Sequence, residues 1–266
     1  MKTPRILIIT GYGVNCEAES ATAWKRAGAE VNLVHINDLL KNPNQLDVVD
    51  GMMLIGGFSY GDHMTSGHVF AQRIKHHLKP KIQNFINEGK LILGICNGFQ
   101  VMSKMGLLPG LNNNYFNPLI SLIQNDCGFF QNYWTSIKFE DNCKCVFTKG
   151  LGIMPLPIRH GEGKIFTLDD KVIEQIENQG CVAARYVDKF GNPTQSFPDN
   201  PNGSINAIAG LSDPSGRIFG MMPHPEAYLF PENHPQWDIQ KIDNTLPKEG
   251  LGVLLFRNAV NAIQNN

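Results

Sequence analysis

The stretch Gly94-Ile95-Cys96-Asn97-Gly98 constrains this chain more than any other. The apolar run Leu91-Ile92-Leu93 leads into it. Apolar residues at helical spacing, Phe99, Met102 and Met105, lead out toward Gly106 and the turn Leu108-Pro109-Gly110. Strand, sharp turn and helix in that order predict a nucleophile elbow with cysteine in the serine position, because flanking glycines relieve the crowding of a strained turn. Such a turn would hold the Cys96 sulfur above the carboxyl end of the strand, at the N-terminal end of the next helix, whose dipole favours a thiolate. A cysteine beside an apolar run can equally be a small core residue, so the reading depends on what accompanies it.

The surrounding pattern is an alternation of strands and helices. Strands are expected over 5–10, 30–35, 48–55 and 90–93, with helices over 16–28 and 68–88, the second kinked or divided by Pro80. This order predicts an α/β fold with a mostly parallel open sheet flanked by helices. After residue 112 helical spacing fades, and short pieces at 121–123, 135–139 and 144–147 read as antiparallel additions. A loop is expected at 157–164, then a helix over 169–178, strands over 181–187 and 217–222, and a closing helix over 249–264. No linker or repeat divides residues 1–266, so one domain is expected.

Bulk properties exclude several function classes. A net charge of −1 offers no electrostatic footprint for nucleic acid or an anionic membrane surface. No apolar run reaches the ~20 residues of a membrane span. The six cysteines of this long chain follow no secretory signal pattern, so free thiols in the cytoplasm are expected. Cys143 and Cys145 form C-x-C without a second pair, which argues against a structural metal. The start of a dinucleotide fingerprint at Gly11-Tyr12-Gly13 lapses at Cys16, where a glycine would be required.

Two further stretches complete a candidate site. The loop Gly56-Gly57-Phe58 follows the carboxyl end of a strand, where parallel sheets place ligands. Its backbone, with the N–H of Asn97, could form an oxyanion hole. Residues 217–222 deliver Pro223-His224-Pro225-Glu226. His224 precedes proline and should be extended, which lets Glu226 reach its imidazole from the same side. Nucleophile, base and orienting carboxylate then occur in the order Cys, His, Glu, unlike the order of α/β hydrolases. The chemistry implied is acyl transfer through a thioester.

Gly94-Ile95-Cys96-Asn97-Gly98-Phe99-Gln100 together with Pro223-His224-Pro225-Glu226 resembles the class I (triad) glutamine amidotransferases. Gly56–Asp62, His160–Gly163, Asn200–Ser204 and Gly220–Glu226 are similar, more narrowly, to the glutaminase subunits or domains of phosphoribosylformylglycinamidine synthases of the purine pathway. The resemblance implies that Cys96 attacks the side-chain amide of glutamine, that His224 moves protons and that Glu226 orients His224. It places Gly57, Phe58 and Asn97 at the substrate, the backbone of Gly57 and Asn97 holding the oxyanion, and Gln100 near the α-substituents of glutamine. It implies no cofactor or metal in this chain. Ammonia would pass to a synthetase subunit that uses ATP and magnesium, in a complex completed by a small third subunit.

The chain departs from that pattern at Val14, where a hydroxyl residue is expected, at Cys127, where serine is expected, and at Phe129 and Tyr133, where arginines are expected. These positions bear on glutamine affinity or on contact with the synthetase. Two other readings stand beside this one: a glutaminase serving another acceptor, for which the stretches at 56, 160 and 200 would be unnecessary, and a non-catalytic binding module, which would have no chemical reason to keep Cys96, His224 and Glu226.

Overall fold

The computed structural model describes residues 2–265. Its first half alternates as the apolar pattern requires. β1 (Arg5–Thr10), α1 (Glu17–Ala27), β2 (Glu30–His35), α2 (Ile36–Lys41) and β3 (Gly51–Leu54) are followed by α3 (His68–Asn87), β4 (Leu91–Ile95) and α4 (Asn97–Met105). The second half holds β5 (Ser121–Gln124), β6 (Gln131–Phe139), β7 (Ile153–His160), β8 (Glu162–Phe166), α5 (Asp170–Asn178), β9 (Val182–Val187), β10 (Ile208–Ser212) and β11 (Ile218–Met221). Two helices, α6 (Trp237–Ile242) and α7 (Val253–Gln264), close the chain.

Nine strands form one sheet in the order β2-β1-β3-β4-β11-β10-β9-β6-β7, and β5 pairs with β8 separately. From β2 to β11 all neighbours run parallel, and from β11 to β7 all are antiparallel. The expected α/β sheet with antiparallel additions is therefore present. β3, β4 and β11 are buried along their whole length, as central strands covered on both faces must be. β4 lies between β3 and β11, so the ends of β3, β4 and β11 converge at one edge of the sheet.

Three local expectations are corrected. α3 runs unbroken through Pro80, which lies on the exposed side of the helix, where water can satisfy the carbonyl that proline leaves unbonded. Residues 144–147 are not a strand; 146 and 147 lie in a turn. β6 already has β7 and β9 as neighbours, and this segment bonds instead through Val146 N–H to Gly216 O at 2.9 Å and Thr148 N–H to Cys145 O at 3.3 Å. Residues 157–164 are not a loop. They are the end of β7 and the start of β8 around Gly161, each strand finding an antiparallel partner far away in sequence. β10, α2 and α6 carried too short a pattern to be expected.

All six cysteines are free thiols. Among the described residues no helix is long and apolar enough to cross a membrane.

Candidate active site

The elbow forms as its glycines require. Cys96 sits between β4 and α4 with φ 52° and ψ −107°, a backbone conformation that side-chain-bearing residues rarely adopt. A Cβ on Gly98 would lie 2.0 Å from Leu54 O, and one on Gly94 would lie 2.2 Å from Met102 Sδ and 2.9 Å from Gly98 O. Only glycine lets α4 start this close to the sheet. Cys96 N–H donates to Met221 O at 2.8 Å, tying the turn to β11. The sulfur contacts Arg159 O at 3.4 Å.

His224 follows β11 and is anchored by its N–H to Pro157 O at 2.8 Å. The expected pairing with Glu226 is present, His224 Nδ1 to Glu226 Oε1 at 2.6 Å, with both side chains buried. The route differs from the expected strand alternation. His224 (φ −107°, ψ 88°) falls outside the extended conformation expected before proline, and Pro225–Ala227 is a single 3-10 turn that folds the carboxylate back onto the ring. Gly56 makes room for the imidazole, since a Cβ there would stand 2.9 Å from His224 Cε1. His224 Nε2 makes no regular hydrogen bond and faces the thiols of Cys96 and Cys16. Burial would lower the His224 pKa, but the Glu226 carboxylate and the Cys96 sulfur outweigh it and hold the imidazole well above its usual value.

The glycine loop packs on the loop after β1. Gly57 (φ 136°) bridges to Val14, with Asn15 N–H to Gly56 O at 3.1 Å and Phe58 N–H to Gly13 O at 2.8 Å. The Phe58 N–H is therefore spent inside the protein. Phe58 contributes instead its half-exposed ring, which packs on Phe130 at 6.1 Å. Gly57 lines the cavity beside Cys96, and Asn97 is the first residue of α4, where a backbone N–H has no partner within the helix.

The side chains of Gln100 and Asn97 are bonded to other parts of the protein. Asn97 Oδ1 accepts from Ser59 N–H at 3.2 Å, and its Nδ2 donates to Asp62 Oδ1 at 3.1 Å and to Gln100 Oε1 at 2.9 Å. Gln100 Nε2 donates to Glu162 O. Both amides are buried braces that lock the elbow to the 59–62 turn and to β8. Burial raises the Asp62 carboxyl above its usual value within this brace.

The stretches at 160 and 200 build the opposite wall. Asn125 Oδ1 accepts from Gly163 N–H at 3.0 Å, and its Nδ2 donates to His160 O at 2.9 Å. Asn202 Nδ2 donates to Gly163 O at 2.8 Å, and Ser204 Oγ accepts from Ile165 N–H at 3.0 Å. Burial, with the nearby His224, pushes His160 down to about 3, so it stays neutral. This network holds the end of β7, and with it the Arg159 carbonyl, against the Cys96 sulfur.

A cavity of about 160 Å³ joins these parts, lined by Cys96, His224, Gly57 and Phe58 and also by Asn15, Cys16, Glu19, Phe130 and Arg159. The last five received no role from the sequence, because Asn15, Cys16 and Glu19 lie far along the chain from Phe130, Arg159 and the elbow, and no local spacing links the groups. Val14 and Phe129 do not line it, and Tyr133 bonds through its hydroxyl to Pro198 O at 2.5 Å. Cys16, His224 and Glu226 place ligand atoms within 4.8 Å of one another, the one such group among the described residues. A metal ion there would have to displace the proton shared by His224 and Glu226.

A thiol on a strained turn at the start of a helix, with a buried imidazole and carboxylate beside it, is the arrangement of a protein that splits amides through a thioester. The comparisons agree and narrow the class. The family model for the CobB/CobQ-like glutamine amidotransferase domain matches residues 3–262. Phosphoribosylformylglycinamidine synthase subunit PurQ of Methanococcus maripaludis is 44% identical over 239 residues, 90% of this chain and 87% of the relative. The subunit of the same name from Dehalococcoides mccartyi is 39% identical over 260 residues, 98% of both chains. A chain in the structure of PurLQS from Thermotoga maritima superposes with a TM-score of 0.71 at 29% identity, covering 98% of this chain and 99% of that one. A second Thermotoga maritima glutamine amidotransferase, 13% identical with a TM-score of 0.60 over all of both chains, shares the fold. The chain belongs to the glutamine amidotransferase family and, within it, to the PurQ subunits of phosphoribosylformylglycinamidine synthase.

Proposed function

We propose that this chain, as one glutaminase domain, hydrolyses glutamine to glutamate and ammonia at Cys96 and delivers the ammonia to an ATP-dependent synthetase that amidates formylglycinamide ribonucleotide in the cytoplasm. The observation that carries the reading is the buried His224–Glu226 pair, 2.6 Å apart, with the second ring nitrogen left free toward Cys96.

The Cys96 thiolate attacks the side-chain amide carbon, and the developing oxyanion is met by the N–H groups of Gly57 and Asn97. The imidazolium of His224 donates its Nε2 proton to the departing nitrogen, which leaves as ammonia, and the acyl group stays on sulfur as a thioester. Neutral His224 then takes a proton from water as the oxygen attacks the thioester. Collapse releases glutamate and restores the thiolate and imidazolium. Glu226 keeps the ring oriented and its charge balanced throughout. No metal or cofactor in this chain is required. ATP and magnesium belong to the synthetase, and a small third subunit completes the complex. The relatives' shared name, and the PurLQS assembly whose chain superposes on this one, support a synthetase partner.

The test is reconstitution with the synthetase and the small subunit from the same source. Glutamine-driven amidation that is lost in Cys96→Ala, while ammonia-driven amidation persists, is the expected result. Glutamine hydrolysis without amidation would move the acceptor elsewhere.

Glu226→Gln should lower kcat by about 10²- to 10⁴-fold, because the ring loses its orienting anion. A pH dependence follows. His224 is held above its unfolded value, so its ion pair contributes stability fully below about pH 6.5 and loses it as pH rises through the raised folded value. Urea unfolding should therefore show the largest deficit of Glu226→Gln near pH 6 and a shrinking one toward alkaline pH.

A further inference from the structure

Glu226 meets His224 with one oxygen only. Oε1 is bonded to the ring, whereas Oε2 is buried and has no hydrogen-bond partner among the described residues, on a side chain fully shut from solvent. A carboxylate oxygen left bare in the interior is costly unless something can be drawn to it. Beside it stands the second thiol of the site. Cys16 Sγ, a His224 ring nitrogen and a Glu226 oxygen lie within 4.8 Å of one another, and all three residues are buried. Gly56 lets thiol and ring meet, since a Cβ there would stand 3.0 Å from Cys16 Sγ and 2.9 Å from His224 Cε1. The thiol donates to Asn15 Oδ1 over a long 3.5 Å. Glutamine hydrolysis through Cys96 gives Cys16 no task.

We propose that Cys16, His224 and Glu226 form a binding site for a soft divalent cation of the zinc class, and that the bound ion stops the glutaminase. The inhibitory half rests on the glutaminase reading. Thiolate, imidazole and carboxylate together are a donor set for zinc, whereas magnesium and calcium prefer oxygen alone. The spacing suits it. Zinc-to-ligand distances of about 2.0–2.3 Å place neighbouring donors about 3.3–3.8 Å apart, so the group has to contract by about an ångström at its widest and to open at the 2.6 Å His224–Glu226 pair. The parts that must move are not locked in regular structure. Cys16 precedes α1 in a non-helical conformation with no side-chain cap, and Glu226 lies in a single 3-10 turn. An ion has a way in, because Cys16 and His224 line the cavity of about 160 Å³ and Glu226 lines an adjoining groove of about 370 Å³. Water from the cavity supplies the fourth position that zinc requires. On binding, the thiol proton of Cys16 and the proton shared by His224 and Glu226 leave to solvent, and the two charges of the ion take their place. Whichever ring nitrogen takes the ion, the His224–Glu226 pair is broken. The ring orientation on which proton transfer to the departing nitrogen depends is lost with it. Occupancy and turnover therefore exclude each other.

The test adds zinc, or cobalt(II) as its coloured stand-in, to the full chain. Cobalt bound through sulfur absorbs in the near ultraviolet by thiolate-to-metal charge transfer, so the band reports whether a cysteine is a ligand. One equivalent of cobalt should give the band in wild type and in Cys96→Ala, zinc should erase it, and Cys16→Ser should lack it. In the complex with the synthetase, zinc should inhibit glutamine hydrolysis, a chelator should restore it, and ammonia-driven amidation should persist throughout. With each protein compared to its own metal-free rate, Cys16→Ser should need at least about tenfold more zinc for half inhibition. A readout that needs no change at Cys16 is alkylation: in Cys96→Ala, zinc but not magnesium should protect Cys16 from iodoacetamide, followed by peptide mass. A band that survives Cys16→Ser and vanishes in Cys96→Ala would put the ion on the nucleophile and overturn the site, as would an unprotected Cys16 or the lack of any band. Zinc held at Cys16 with undiminished hydrolysis would overturn the inhibitory role. Zinc held at Cys16 in a chain that splits no glutamine when metal-free would support the site and sink the glutaminase reading instead.

Discussion

Cys96→Ala should reduce glutamine hydrolysis by at least about 10⁴-fold while leaving the fold and the assembly with the synthetase unchanged. The magnitude follows from the chemistry. Without the sulfur there is no thioester route, and what remains is the help that oxyanion donors and positioning give to direct attack by water. The fold should survive because the substitution removes one atom from a site whose turn is set by Gly94, Gly98 and the bond from the residue 96 N–H to Met221 O, all of which alanine preserves. Steady-state ammonia release, with ammonia-driven amidation as a control, reads the loss. Retention of more than a trace of glutaminase activity would mean that another thiol is the nucleophile. Cys16, which shares the cavity and lies beside the same imidazole, would then be the one to examine.

Gly98→Ala should be the most damaging small substitution. The added carbon would fall 2.0 Å from Leu54 O and 2.5 Å from Leu54 C, which are backbone atoms of the central strand β3 and cannot swing aside. Either α4 lifts from the sheet or β3 shifts, and both carry the elbow with them. A loss of about 3 kcal/mol or more is expected, corresponding to a fall in Tm of about 6–12 °C for a chain of this size. Thermal unfolding followed by circular dichroism measures it. Gly128→Ala is the control: its positive φ (77°), unlike the helical backbone of Gly98, strains any side chain, but nothing lies within 4 Å of its added carbon, so it should cost less. A Gly98→Ala protein as stable as Gly128→Ala would show that the helix start has slack.

The parts of the site visible in the sequence are those whose geometry is local. The elbow is written in consecutive residues, because a strand, a strained turn and a helix each leave a short-range pattern and the glycines report the crowding. His224 and Glu226 are two residues apart, so their meeting needs only one turn of backbone. Strand alternation predicts the same pair, whereas the chain makes it with the 3-10 turn Pro225–Ala227. Gln100 shows the opposite case. It stands in the elbow motif, yet its amide is consumed by Asn97 and Glu162, the latter 62 residues away in β8. The stretch at 157–164 reads as a loop because its pairing partners, β5 and β6, are distant and its apolar alternation is short.

By itself the sequence determined the main strand and helix alternation around the elbow, the pairing of His224 with Glu226, and the family to which the chain belongs. Each follows from backbone preference, burial period or runs of contiguous residues. The tertiary structure alone decided which groups surround the Cys96 sulfur. The order β3-β4-β11 brings the glycine loop, the elbow and His224 to one edge, and β7, at the far end of the sheet order, returns Arg159 to face Cys96. The meeting of Cys16 with the His224–Glu226 pair has no sequence signature, because a neighbour is a matter of distance in space. That distance is set when the sheet closes around the elbow.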